Sequence, residues 1–89
     1  MGLKEDFDQA AKDALTLPES TTNEDKLILY GLFKVATVGK PETSRPGIFD
    51  PKGRAKWDAW KKVEDKSKDE AMQEYIVKVT QLKEAAANC

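Results

Sequence analysis

At 89 residues the chain has room for one domain with a modest core, and a hydrophobic share of 39% beside a charged share of 35% excludes compositional disorder. No apolar run approaches the roughly 18 residues that span a bilayer, so stable membrane insertion is not expected. A net charge of −1 argues against nucleic acid as a partner, and the absence of histidine removes the commonest acid–base catalyst and metal ligand.

The opening, MGLKEDFDQA, is polar and acidic and lacks the apolar stretch of a signal peptide, and a single cysteine that can form no internal disulfide points to reducing cytosol. Met1-Gly2 fits a myristoylation start, but Asp6 stands where serine or threonine is needed. Leu3, Phe7, Ala10, Ala11, Ala14 and Leu17 then recur at steps of three and four, predicting a first helix over 3–17 that Pro18 ends. Thr22 reads as the N-cap of a second helix over 22–38, with Asp25 as a short-armed capping-box partner and Gly39 as its stop.

Residues 39–51, GKPETSRPGIFDP, hold three prolines and two glycines and form a long connection for so small a domain. Ile48 and Phe49 predict that this connection packs, since exposing both is costly. Asp50-Pro51 reads as N-cap and first position of a third helix over 51–64, striped by Trp57, Trp60 and Val63. Both tryptophans are expected in the core. Ser67 and Glu70 form a capping box for a fourth helix over 67–86, with Ala71, Met72, Tyr75, Ile76, Val79 and Leu82 on its apolar stripe. The tail AAANC is expected to fray, and Cys89, the single cysteine, to be a free thiol. The pattern is all-α, one domain over 1–89, with no strand and no repeat.

The second helix carries the chemistry. In LILYGLFKVATV, residues 27–38, Lys34 is the only charge, so this helix cannot present an ordinary polar face to water. One side must meet the core and the other is free for a ligand. Tyr30, Phe33 and Lys34 lie at i, i+3 and i+4 on that other side, and two rings beside an ammonium suit a flat base next to a phosphate. Two readings stand for Lys34: a stem snorkelling to water, or a phosphate ligand, to which Tyr30 and, if the helices meet, Lys56 would contribute. Tyr75 belongs to the fourth helix's core stripe, with its hydroxyl free to reach the rim of a site.

Tyr30-Gly31-Leu32-Phe33-Lys34-Val35-Ala36-Thr37-Val38-Gly39, then Arg45-Pro46-Gly47, then Lys52-Gly53-Arg54-Ala55-Lys56-Trp57-Asp58-Ala59-Trp60, then Ala71-Met72 with Tyr75-Ile76, resemble the acyl-CoA-binding protein family in order along nearly the whole chain. The resemblance implies a four-helix bundle of that type with a long connection between helices two and three. It implies long-chain acyl-CoA as ligand, with Tyr30, Lys34 and Lys56 on the nucleotide 3′-phosphate, Phe33 stacked on adenine and Lys52 near the phosphates. Tyr75 would line the ligand and Leu27 would meet the acyl chain; Gly31, Leu32 and Leu15 complete the contact set it implies.

The chain departs from the family pattern in places. Phe33 replaces a frequent tyrosine, Val35 a usual glutamine, and Thr21 a proline before helix two. Leu15 stands where some members have lysine, which leaves a weaker site or a more apolar edge. No nucleophile–base pair is visible, so a monomeric carrier with no cofactor and no metal is expected. It would hold acyl-CoA in a pool and pass it to acyl-CoA-consuming enzymes. A module that docks a partner helix on helix two is the alternative of another class.

Overall fold

A computed structural model describes residues 2–87. The thiol expected at Cys89 lies outside them. Four helices follow one another: α1 (Leu3–Ala14), α2 (Asn23–Thr37), α3 (Pro51–Lys62) and α4 (Lys68–Ala87), which is the all-α bundle expected.

The helix ends follow from short-range chemistry. Thr22 Oγ1 accepts from the Asp25 amide at 3.1 Å, Asp50 Oδ1 from the Gly53 amide at 3.0 Å, and Ser67 Oγ from the Glu70 amide at 3.0 Å. Each satisfies an amide that the first turn leaves without a partner. Glu70 returns the bond to the Ser67 amide at 3.4 Å, but Asp25 does not return one to Thr22; its carboxylate instead pairs with Lys78 of α4 at 2.8 Å. At the other end of α2, Gly39 adopts φ 98°, and its amide donates to the carbonyls of Lys34 and Val35.

Two helices end two or more residues earlier than expected; α3 stops at Lys62, not at 64. α1 stops at Ala14, not at 17: the amides of Leu15, Thr16 and Leu17 each reach back only three residues, and the Thr16 hydroxyl donates to the Asp13 carbonyl at 2.8 Å. This tightened turn competes with a further helical turn, which Pro18 blocks in any case. α4 runs through Ala85, Ala86 and Ala87, the strongest helix formers available, and ends one residue past the expected 86.

Phe7 (α1), Phe33 (α2) and Tyr75 (α4) meet as a cluster of rings, with centroids 5.6 Å apart for Phe7–Phe33 and 5.1 Å for Phe7–Tyr75. Around it lie Ala10, Leu29, Leu32, Val35, Ala36, Ala71 and Val79, with Trp60 supplied by α3. Burying each large side chain is worth roughly 1.5–3 kcal/mol. α4 packs on α1 and α2, and α3 packs on α2 alone.

The pairings give the direction of each helix. Lys56 sits by Tyr30 and Lys34 by Trp60, so α2 and α3 run parallel; Asp25 with Lys78 and Phe33 with Tyr75 make α2 and α4 antiparallel. Parallel neighbours cannot be joined by a tight turn. α2 has 15 residues, and at 1.5 Å each the chain must retrace about 22 Å before α3 begins. The long connection is the topological consequence.

That connection is held to α3 by polar ties. Trp57 Nε1 donates to the Thr43 carbonyl at 3.1 Å and Trp60 Nε1 to the Gly39 carbonyl at 2.6 Å, while Arg45 grips Asp58 through two bonds of 2.9 and 2.8 Å. Trp57 is therefore half-buried and clamps the connection; only Trp60 is a core residue as expected. Ile48 and Phe49 do not pack, contrary to expectation: they are 71% and 95% exposed. They lie inside the turn closed by the Asp50 amide on the Gly47 carbonyl at 3.0 Å, and the capping duty of Asp50 fixes how that turn leads into α3.

Candidate ligand-binding site

The outer row of α2 supplies the site's spine. Lys26, Tyr30, Phe33 and Lys34 recur at i, i+4, i+7 and i+8, yet they diverge. Phe33 leans toward α1 and α4, 6.0 Å from the Tyr75 ring. Lys34 leans toward α3, its Nζ 4.8 Å from the Trp60 ring centroid. Tyr30 stands between them, with Lys56 Nζ 5.6 Å from its ring centroid.

Two open hollows flank this spine. The first, about 440 Å³, lies between the α1–α2 connection, α2 and α4, walled by Leu15, Pro18, Tyr30, Phe33 and Tyr75. The second, about 420 Å³, lies between the first turns of α2 and α3, lined by Leu27, Pro51, Lys52, Ala55 and Lys56, and its surface is largely carbon. Lys26 borders both, and the Tyr30–Lys56 contact joins them.

Charge is distributed in a way that suits an anion. Lys26, Lys34, Lys52 and Lys56 have no carboxylate within ion-pair distance among the described residues, whereas Lys78 and Lys83 on α4 are paired to Asp25 and Asp13 at 2.8 and 3.0 Å. An ammonium over a ring face keeps its charge and its donors. Tyr75 is 5% exposed, and burial pushes its phenol pKa up, so it stays protonated and able to donate into the first hollow. Among the described residues no acidic or cysteine cluster could hold a metal ion, and no helix is long and apolar enough to cross a membrane.

Of the residues expected at the site, Tyr30, Phe33, Tyr75 and Leu15 meet at the first hollow and Leu27, Lys52 and Lys56 at the second. Lys34 borders neither and lies over Trp60, one turn beyond Tyr30. Gly31 and Leu32 line neither of these two hollows. Gly31 is buried against α3, where a Cβ would stand 2.5 Å from the Ala59 carbonyl oxygen, and Leu32, 3% exposed, is part of the core. Both turn away from the two hollows because they lie on the face of α2 that binds the bundle together. Lys26 was missed: it reads as one more charge in the first turn of a helix, but its place four residues before Tyr30 could have marked it.

The family is decided by the match of residues 4–79 to the model described as acyl CoA binding protein. The chain belongs to the acyl-CoA-binding protein family. It is 69% identical over 87 residues to acyl-CoA-binding domain-containing protein 3 of Oryza sativa subsp. japonica, covering 98% of this chain but only 56% of that longer protein. It is 67% identical over 89 residues to the acyl-CoA-binding protein of Ricinus communis, covering 99% of each. The crystal structure of Oryza sativa acyl-CoA-binding protein 2 superposes with a TM-score of 0.95 at 62% identity, over 98% of this chain and 95% of that one. The acyl-CoA-binding protein fold, with the long connection between α2 and α3, is thus common to both structures.

Proposed function

We propose that the chain binds long-chain acyl-CoA esters one-to-one and acts as a non-catalytic carrier that holds them in a pool for acyl-CoA-consuming enzymes. The observation that carries this reading is the joining of a ring-lined hollow and a carbon-lined groove at Tyr30 and Lys56, with unpaired ammoniums around the junction. An acyl-CoA is likewise a polyanion and flat base joined to a hydrocarbon chain.

Each part of the ligand has a matching part of the site. Lys34, Lys56 and the Tyr30 hydroxyl take the nucleotide 3′-phosphate, and charge-assisted bonds of this kind contribute roughly 1.5–3 kcal/mol each. Phe33, exposed enough to offer a face, stacks on adenine for about 1–3 kcal/mol. Lys52 neutralises the remaining phosphates, Tyr75 donates from the floor of the first hollow, and Leu27 with Ala55 accepts methylenes at roughly 0.8 kcal/mol apiece. Over a long chain this last contribution exceeds any single polar contact, so affinity should rise with chain length. The chain has no histidine, and the hydroxyls of Thr16, Thr21, Thr37 and Thr80 donate to backbone carbonyls. That supports carriage of the thioester, not its hydrolysis.

The test is calorimetric titration with palmitoyl-CoA below its micelle concentration, beside CoA and palmitate alone. Tight one-to-one binding of the ester and much weaker binding of either half is expected; equal affinity for palmitate and its CoA ester contradicts the reading. Lys34→Ala should weaken ester binding at least tenfold, and its loss of stability should be near the roughly 0.5–1 kcal/mol of an exposed cation–ring contact. An affinity that falls only in step with helicity makes Lys34 structural.

A further inference from the structure

Ile48 and Phe49 are adjacent, large, apolar and 71% and 95% exposed, and they border none of the hollows described above. They are also held in place. The Gly47–Asp50 turn encloses them, Asp50 caps α3, and Arg45 ties the preceding segment to Asp58. A side chain added at Gly47 would meet nothing within 4 Å, so the turn stands clear of the bundle. A pre-set apolar tip loses little freedom when it enters another phase.

The surrounding charge says which phase. Residues 40–58 carry Lys40, Arg45, Lys52, Arg54 and Lys56 against Glu42, Asp50 and Asp58, so with Arg45 paired to Asp58 four cations remain against two carboxylates, within a chain whose net charge is −1. Cations beside a protruding apolar tip complement the headgroup layer of an anionic bilayer, where a segment can be held at the interface without spanning it. A convex tip of two side chains offers a partner protein little area to bury, whereas a bilayer needs no matching cavity. Pro51, two residues after Phe49, borders the carbon-lined groove, so a tip seated in a bilayer brings the groove's end to the membrane.

We propose that the Ile48–Phe49 turn is a reversible docking tip for anionic membrane surfaces, through which the groove between α2 and α3 meets the bilayer. Its purpose, loading or unloading an amphiphile that partitions into membranes, rests on the carrier reading; the docking itself is a property of the unliganded protein.

The experiment is co-sedimentation of the unliganded full chain with vesicles of phosphatidylcholine and phosphatidylserine in equal parts, and with phosphatidylcholine alone. Binding is expected to the mixed vesicles, weaker to the neutral ones, and reduced by added salt. The double variant Ile48→Ser/Phe49→Ser should lose at least tenfold in vesicle partition while keeping palmitoyl-CoA affinity in vesicle-free calorimetry. Phe49→Trp should retain partition, because tryptophan favours the interface. No binding by the native chain, or equal binding by the double variant, overturns the proposal. So does a double variant that loses palmitoyl-CoA affinity without vesicles, which would make the pair a cover for the acyl chain. Palmitoyl-CoA binding by the native chain is measured in the same calorimeter, so a failed carrier reading and a failed docking tip give different results.

Discussion

Gly31 sets how near α2 and α3 can come, and the site depends on that distance. Its missing side chain lets the Ala59 carbonyl approach to where a Cβ would stand 2.5 Å away, and that approach brings Lys56 to Tyr30 and Trp60 under Lys34. Because the opposing atoms are backbone, no side-chain rotation relieves the clash. Gly31→Ala should therefore cost about 1–3 kcal/mol in a denaturant titration, the usual range for overpacking. It should also weaken palmitoyl-CoA binding, although Gly31 lines neither hollow; unchanged affinity would show that the helix spacing is not critical to the site. Tyr30, Phe33 and Lys34 were legible in the sequence because Lys34 is the one charge in an apolar run and the two rings share its face of the helix. Lys26 and the interface role of Gly31 were not, because a first-turn lysine and a helix-interior glycine each look ordinary until the neighbouring helix is in place.

Among the elements, the connection from 38 to 50 differs most from expectation. Two apolar residues suggested a packed segment; instead the indoles of Trp57 and Trp60 and the Arg45–Asp58 pair hold it, and Ile48 and Phe49 face water. Asp58→Ala removes a half-exposed ion pair, and such pairs contribute little to global stability. The expected outcome is a nearly unchanged melting temperature with faster amide hydrogen exchange around residues 43–47, read by mass spectrometry. Unchanged exchange would mean that the tryptophan bonds suffice. Helix boundaries were legible wherever a cap decided them, as at Thr22, Asp50 and Ser67. They were misjudged where the periodic pattern outran the helix, as at Leu15–Leu17 and at Val63–Glu64.

At the scale of the whole molecule, ion pairs link α4 to its two neighbours. Lys83 beside Asp13 of α1, and Lys78 beside Asp25 of α2, hold those carboxyl pKa values below the ordinary 3.8; Arg45 does the same for Asp58. A carboxylate with a depressed folded-state pKa adds stability that is present above its unfolded value and lost as pH falls through the folded one. Thermal stability should thus decline as pH is lowered past the ordinary carboxylate range, and less steeply at high salt, where exposed pairs are already screened. The double variant Asp13→Asn/Asp25→Asn should show a shallower acid decline in melts across that range; a slope equal to the native one would assign the decline to other carboxylates.

What the sequence determined by itself was set within a few residues: four helices, three side-chain caps, the break at Gly39, and a tyrosine–phenylalanine–lysine row on one helix. Hydrogen bonds and side-chain periodicity act over three or four positions, so local order suffices to read them. The family resemblance added the expected fold and ligand. Only the tertiary structure decided that α2 and α3 run parallel, that Lys56 meets Tyr30, that Gly31 and Leu32 face inward, and that Ile48 and Phe49 face out. Those outcomes depend on which helix faces give the best joint packing across long separations in the chain, and that sum exists only once all four helices are assembled.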